Sequence, residues 1–187
     1  MTRHDMLIQQ QQRLIGFLEG IAIDYELTDS EIVQLASELR DIEQAVSQTA
    51  GSRLSDELDA LRTITASFVD SGRLKEAEKE RILEAIHGCL EVQNQQNSYG
   101  SAVFISRLLG ILQGLLSDNV VTAQERVDLE DLLEDYAEHS QIWPFNEIRL
   151  VLDSLTSSKA PAETSHAQLL VIVSELKATL EALNSSK

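Results

Sequence analysis

The sequence predicts an all-α fold of about eight helices, arranged as three helix–loop–helix repeats of 47-residue period plus a C-terminal helix. Two sequence patterns and one compositional feature point there. The stretch Asp24-Tyr25-Glu26-Leu27-Thr28-Asp29-Ser30-Glu31 returns as Asp118-Asn119-Val120-Val121-Thr122-Ala123-Gln124-Glu125, both reading D-x-x-[LV]-T-x-x-E with starts 94 residues apart. Half that offset lands on Ser71-Gly72-Arg73-Leu74-Lys75-Glu76-Ala77-Glu78, which keeps the apolar residue and the last Glu but lacks the Asp and the Thr. Apolar columns hold the same period on both sides of the turn: Leu14/Leu61/Leu108, Phe17/Ile64/Ile111, Ile21/Phe68/Leu115, Leu35/Ile82/Leu129 and Leu39/Ile86/Leu133. With two Pro, eight Gly and no Val/Ile/Thr alternation, the composition leaves room for long helices and offers no strand signal.

Each turn reads as a helix start. A Thr at the N-cap accepts from the backbone N–H three residues on, and the Glu there reaches back to the Thr N–H. Thr28 with Glu31 and Thr122 with Glu125 fit this capping box. Leu27, Leu74 and Val121 precede each start and are placed to staple the loop to the core.

Along the chain, residues 5–23 are the first predicted helix, with Leu7, Leu14, Phe17, Leu18 and Ile21 on one face and Gln9 to Gln12 read as a solvated segment. Residues 29–47 follow, with Ile32, Leu35, Leu39, Ile42 and Val46, and Gly51 is the stop signal. Residues 53–70 and 75–95 are the third and fourth helices. The basic group Arg73, Lys75, Lys79 and Arg81 reads as a solvated helix start. Residues 102–117 are apolar around most of their girth, which predicts a central helix; Gly110 and Gly114 read as small residues tolerated by packing. The sixth helix, 123–139, packs Leu129, Leu132, Leu133 and Tyr136 inward and carries Asp128, Asp131, Asp135 and Glu138 on the opposite face. Trp143-Pro144 opens a seventh helix, 145–156, with Pro144 at its first position. The organisation expected is a helical bundle over 1–156, a linker at 157–165 and an amphipathic helix within 166–187. In that last helix Leu169, Val173, Leu176 and Leu180 form a heptad seam, which folds back, pairs with a second copy as a homodimer, or grips a partner.

A net charge of −16 argues against direct nucleic-acid binding and against an anionic membrane surface, and favours a protein partner with a basic surface. The single Cys89 excludes an internal disulfide framework and falls on a core-facing stripe. The N-terminus lacks a signal-peptide core and no apolar run reaches membrane-spanning length, so a cytoplasmic protein is expected.

No enzyme signature is present. The four His are far apart, there is no HExxH, and His87 and Cys89 diverge on one helix. Asp24, Glu31, Asp118 and Glu125 offer oxygen ligands to a divalent cation, though neither turn follows the EF-hand pattern; the other reading is caps and loop hydrogen bonds.

The apolar helix, the D-x-x-[LV]-T-x-x-E turn and the following amphipathic helix resemble the TerB-like helical domains named for tellurite resistance. They are also similar to helical repeats found beside BRCT domains in bacterial proteins, where a Trp-Pro pair follows the Asp as Trp143-Pro144 follows Asp118. The resemblance covers residues 14–155. It implies an all-α bundle and, as in TerB, an acidic metal-binding surface in a stress-response setting. Tyr25 and Asn119 stand where that family usually has Gly. The expected function is a non-catalytic acidic interaction module, an adaptor or regulator in bacterial stress or defence, with no cofactor. The alternatives are a divalent-metal-binding stress protein and an acidic nucleic-acid mimic. The residues expected to meet a partner are Asp128, Asp131, Asp135 and Glu138, with the Leu169–Leu180 seam.

Overall fold

The structure, a computed structural model, describes residues 2–42, 52–71, 75–93, 101–118, 121–136, 145–158 and 162–185. Among these there are eight α-helices and no strand: α1 Arg3–Ile21, α2 Asp29–Asp41, α3 Ser52–Ser71, α4 Glu76–Gln93, α5 Ser101–Leu115, α6 Ala123–Asp135, α7 Phe145–Ser158 and α8 Ala162–Ser185. Val46, the middle turn at 72–74, Glu138 and Trp143-Pro144 lie outside the described residues.

The helix starts are set by local chemistry. At α2, Glu31 N donates to Thr28 Oγ1 at 3.2 Å and Thr28 N donates to Glu31 Oε2 at 2.6 Å. At α6 the same pair of bonds joins Thr122 and Glu125 at 3.1 and 2.6 Å. The start of α4 keeps half of this device: Lys75 has no hydroxyl, but its N–H still donates to Glu78 Oε2 at 2.8 Å. A further box, Thr2 with Asp5, starts α1 at Arg3, ahead of the expected residue 5.

The apolar faces gather into two clusters. Leu14, Phe17, Ile21, Leu35, Leu58, Ile86 and Cys89 are among the residues of the first, which is built from α1–α4. Phe104, Leu108, Leu115, Leu129, Phe145 and Leu176 belong to the second, built from α5–α8. Each fully buried aliphatic side chain contributes about 1.5–3 kcal/mol. The two halves have matching neighbours: α2 on α3, α3 on α4 and α1 on α4; then α6 on α7, α7 on α8 and α5 on α8.

The halves meet where α1 crosses α5. A Cβ added to Gly16 would strike the Arg107 carbonyl oxygen, and one on Gly20 the Ile111 carbonyl oxygen. Reciprocally, a Cβ on Gly110 would strike the Arg13 carbonyl and lie 2.7 Å from Phe17 N, while one on Gly114 would strike the Phe17 carbonyl. Gly110 and Gly114 are therefore more than tolerated: with Gly16 and Gly20 they let two helix backbones touch. As expected for a central helix, α5 is buried at every position from Phe104 to Leu115 except Gln113.

Two expectations change, and one of three alternatives is selected. Gln11 and Gln12 are buried, not solvated, because partners from other helices meet them: Gln11 Nε2 donates to Gln93 Oε1 at 3.2 Å, and Arg107 Nη1 donates to Gln12 Oε1 at 3.4 Å. The heptad seam of the last helix is occupied within the chain: Leu169, Val173 and Leu176 are buried in the second cluster and Leu180 packs against it. Neither a homodimer nor a partner can use that seam without unpacking the core. The expected linker at 157–165 is helical at both ends, since α7 runs to Ser158 and α8 starts at Ala162. No described helix is long and apolar enough to cross a membrane.

Candidate interaction groove

The site begins where α1 ends. Ala22 caps the helix, Tyr25 N donates to the Ala22 carbonyl at 3.2 Å, and Glu26 N donates to Asp24 Oδ1 at 3.0 Å. These bonds turn the chain through Tyr25, whose φ of 60° lies in the left-handed region. Tyr25 is 70% exposed, and its ring stacks on His87 of α4 with centroids 5.5 Å apart and planes 26° apart.

The stacked pair borders a groove of ≈ 550 Å³. Ala22 and Ile23 after α1, Leu90 of α4 and Leu132 of α6 give it an apolar lining. Asp128, Asp131, Glu134 and Asp135 bring carboxylates from α6, and Glu19 one from α1. Of the four acids expected to meet a partner, Asp128, Asp131 and Asp135 of α6 thus lie together at one concavity.

Glu19 is held from behind. Arg107, buried on α5, donates from Nε to Glu19 Oε2 at 2.9 Å and from Nη2 to Glu19 Oε1, and Tyr136 Oη donates to Glu19 Oε1 at 2.8 Å. The guanidinium also lies 5.6 Å from the centre of the Tyr136 ring. A buried ion pair needs such added hydrogen bonds to offset its desolvation. Here they tie α1, α5 and the end of α6 together beneath the groove.

A second crevice, of ≈ 650 Å³, is lined by Asp29, Ser30, Val33, Gln34, Ser37 and Glu38 of α2 with Ser117 after α5. Ser117, Gln34, Ser37 and Glu38 stand 94 residues from Ile23, Asp128, Asp131 and Leu132 of the groove. The charges at the second crevice are compensated: Arg13 pairs with Glu38 at 2.9 Å and Lys79 with Asp29 at 3.4 Å. Lys79 also donates to the Leu27 carbonyl at 2.9 Å, so this member of the basic group clasps the first turn and is not simply solvated.

The charges of Asp24 and Asp118 reach the carboxyls of both Glu31 and Glu125. Burial pushes the Glu31 carboxyl up to about 7; its bonds with Thr28 pull it down, and the charges of Asp118 and Asp24 raise it further. Glu125 is raised for the same reasons, burial first, with Asp24 and Asp118 both contributing. Yet among the described residues no three His, Cys, Asp or Glu side chains are gathered to hold a metal ion. Glu31 and Glu125 each engage an oxygen in the cap, and Asp24 engages one in its turn. The arrangement fits caps better than a ligand shell.

Cys89 is fully buried in the first cluster, and burial, then the charge of Glu57, pushes its thiol up to about 12. A thiol so protonated is a packing group.

Sequence reasoning did not reach Tyr25, His87, Leu90 or Glu19 as groove residues. His87 and Leu90 carry no local signal, since their neighbours in the groove come from α1 and α6. For Tyr25 a signal existed: an aromatic residue in a short turn whose second copy has Asn119.

No family model, no curated protein and no solved structure matches this chain.

Proposed function

We propose that this chain is a non-catalytic interaction module that docks a basic segment of a partner protein in the groove between α1, α4 and α6. The observation that carries the reading is the contrast between the two crevices. Asp128 and Asp131 occupy the positions at which the second crevice has Gln34 and Ser37. The fold builds such a crevice without those charges, so packing does not explain them. Concentrated around one apolar-lined concavity, the carboxylates of α6 attract cations over roughly a Debye length of 8–10 Å and steer association. The TerB-like resemblance supports a cytoplasmic adaptor in bacterial stress or defence, and the 47-residue periodicity supports a repeat origin for the scaffold. The metal-binding reading is weaker because Glu31 and Glu125 serve as caps and Asp24 is engaged in its own turn. Nucleic-acid mimicry is weaker because the charge lines a groove of peptide size.

The test is binding of a synthetic cationic helical peptide across a salt series. The double variant Asp128→Asn/Asp131→Asn is expected to lose most of the affinity and flatten the salt dependence. A charge-matched control on exposed α4 positions, Glu76→Gln/Glu80→Gln, is expected to retain both. Equal losses in the two variants would reduce the attraction to net charge and remove the groove from the account.

A further inference from the structure

The groove carries a feature that charge alone does not require. Tyr25 places a large aromatic ring 70% in solvent at the groove's rim, backed on one side by His87 at 5.5 Å. Among the described residues it is the only non-glycine with a positive φ, a conformation that costs a bulky side chain of the order of 1–2 kcal/mol and that Gly or Asn adopts cheaply. The corresponding position of the second turn's sequence is Asn119. Neither core packing nor the turn calls for an aromatic at residue 25.

A ring with an open face beside carboxylates has one well-defined complement. A planar guanidinium stacks on an aromatic face while its N–H fork meets carboxylates, whereas an ammonium is a point charge that stays hydrated. We infer that the Tyr25–His87 pair is an arginine shelf: it receives an arginine of the partner's basic segment, whose outer N–H groups meet the α6 carboxylates. Tyr25 is then the residue that makes the groove select arginine over lysine. This assignment rests on the groove being the docking site, and it names what that site prefers.

Two alanine-based helical peptides of equal length and charge, one bearing arginines and one lysines, separate the possibilities. The full chain is expected to bind the arginine peptide about two- to fivefold more tightly, the range of a cation–π contact with an exposed ring. Tyr25→Leu keeps apolar bulk but has no π face, and Tyr25→Gly also relieves the backbone. In both, the arginine preference is expected to fall to about onefold while lysine-peptide affinity holds. Thermal melts of Tyr25→Gly at or above the parent midpoint would show that the fold persists. An arginine preference that survives in Tyr25→Leu, or equal binding of the two peptides by the parent chain, overturns the shelf while leaving the groove standing. Binding of neither peptide overturns both.

Discussion

Arg13 and Arg107 occupy matching places on either side of the glycine crossing, 94 residues apart, yet only Arg107 is sealed. Its side chain is 2% exposed and paired to Glu19, whereas Arg13 is 33% exposed and paired to Glu38 at the rim. The two pairs therefore differ in energetic meaning. An ion pair near the surface contributes about 0–1 kcal/mol. Removing one member of a buried pair strands the other charge and costs about 3–5 kcal/mol. Chemical denaturation is expected to show Arg107→Ala in that range and Arg13→Ala well below it. Arg107→Met combined with Glu19→Gln, which leaves Tyr136 an acceptor, is expected to cost less than the sum of the two single changes. Equal costs at Arg13 and Arg107 would contradict the assigned burial.

Glycine substitutions divide by what the new methyl would meet. In an ordinary helix interior, Gly→Ala gains about 1 kcal/mol. At Gly16 and Gly110 the obstacle is the facing backbone, which cannot move aside, so Ala is expected to destabilise by about 1–3 kcal/mol or more. Gly88 supplies the contrast, because a Cβ there would meet the flexible end of the Glu57 side chain at 2.9 Å. Gly88→Ala is expected to be neutral or stabilising. Urea midpoints of the three single variants decide the matter, and a stabilising Gly110→Ala would rule out the close crossing.

Glu31 links stability to pH in a direction opposite to most paired carboxylates. Burial first, then the neighbouring Asp118 and Asp24, raise it from the ordinary 4.5 to about 7 in the folded chain. Between those values the folded chain holds a proton that the unfolded chain has released. The contribution is complete below pH 4.5 and is lost as pH rises through 7. Glu125 adds to it in the same sense. Melting temperature is expected to fall between pH 5 and 8, and to fall less steeply in Glu31→Gln. Gln keeps the reach-back to the Thr28 N–H but has no charge to bury. A parallel slope in that variant would assign the effect to net charge alone.

Divalent ions supply a check on the turns. A ligand that binds only the folded chain adds about 2.7 kcal/mol at 100 times its dissociation constant. With Asp24, Glu31 and Glu125 engaged in turn and cap bonds, excess calcium, magnesium, manganese or zinc is expected to leave the midpoint where EDTA leaves it. A rise that disappears in Asp24→Asn/Asp118→Asn would establish a cation between the turns.

Much of the helical order was legible because it is local. Thr28 with Glu31 and Thr122 with Glu125 announce helix starts within four residues, and the apolar columns mark inward faces whatever they pack against. What was hidden depends on partners far along the chain. Gln11 is buried because Gln93, 82 residues on, accepts its hydrogen bond. Gly16 is constrained only because Arg107 brings its carbonyl there. The groove needs α4 and α6 to arrive beside the end of α1, and no run of the sequence contains all three. The α8 seam is a case of correct periodicity with three open destinations, of which the core cluster of α5 and α8 takes one.

The crossing also has a consequence for any shortened form of the chain. At its glycines α1 meets the main chain of α5, and the register is reciprocal: the partner of Gly16 is the carbonyl of residue 107, and that of Gly110 the carbonyl of residue 13. Such a surface is self-complementary. A fragment ending at Gln93 would bare the glycine face of α1, and a second copy of that fragment offers the same carbonyls that α5 offers now. The N-terminal half alone is therefore expected to assemble as an isologous pair in which each subunit plays the missing half for the other.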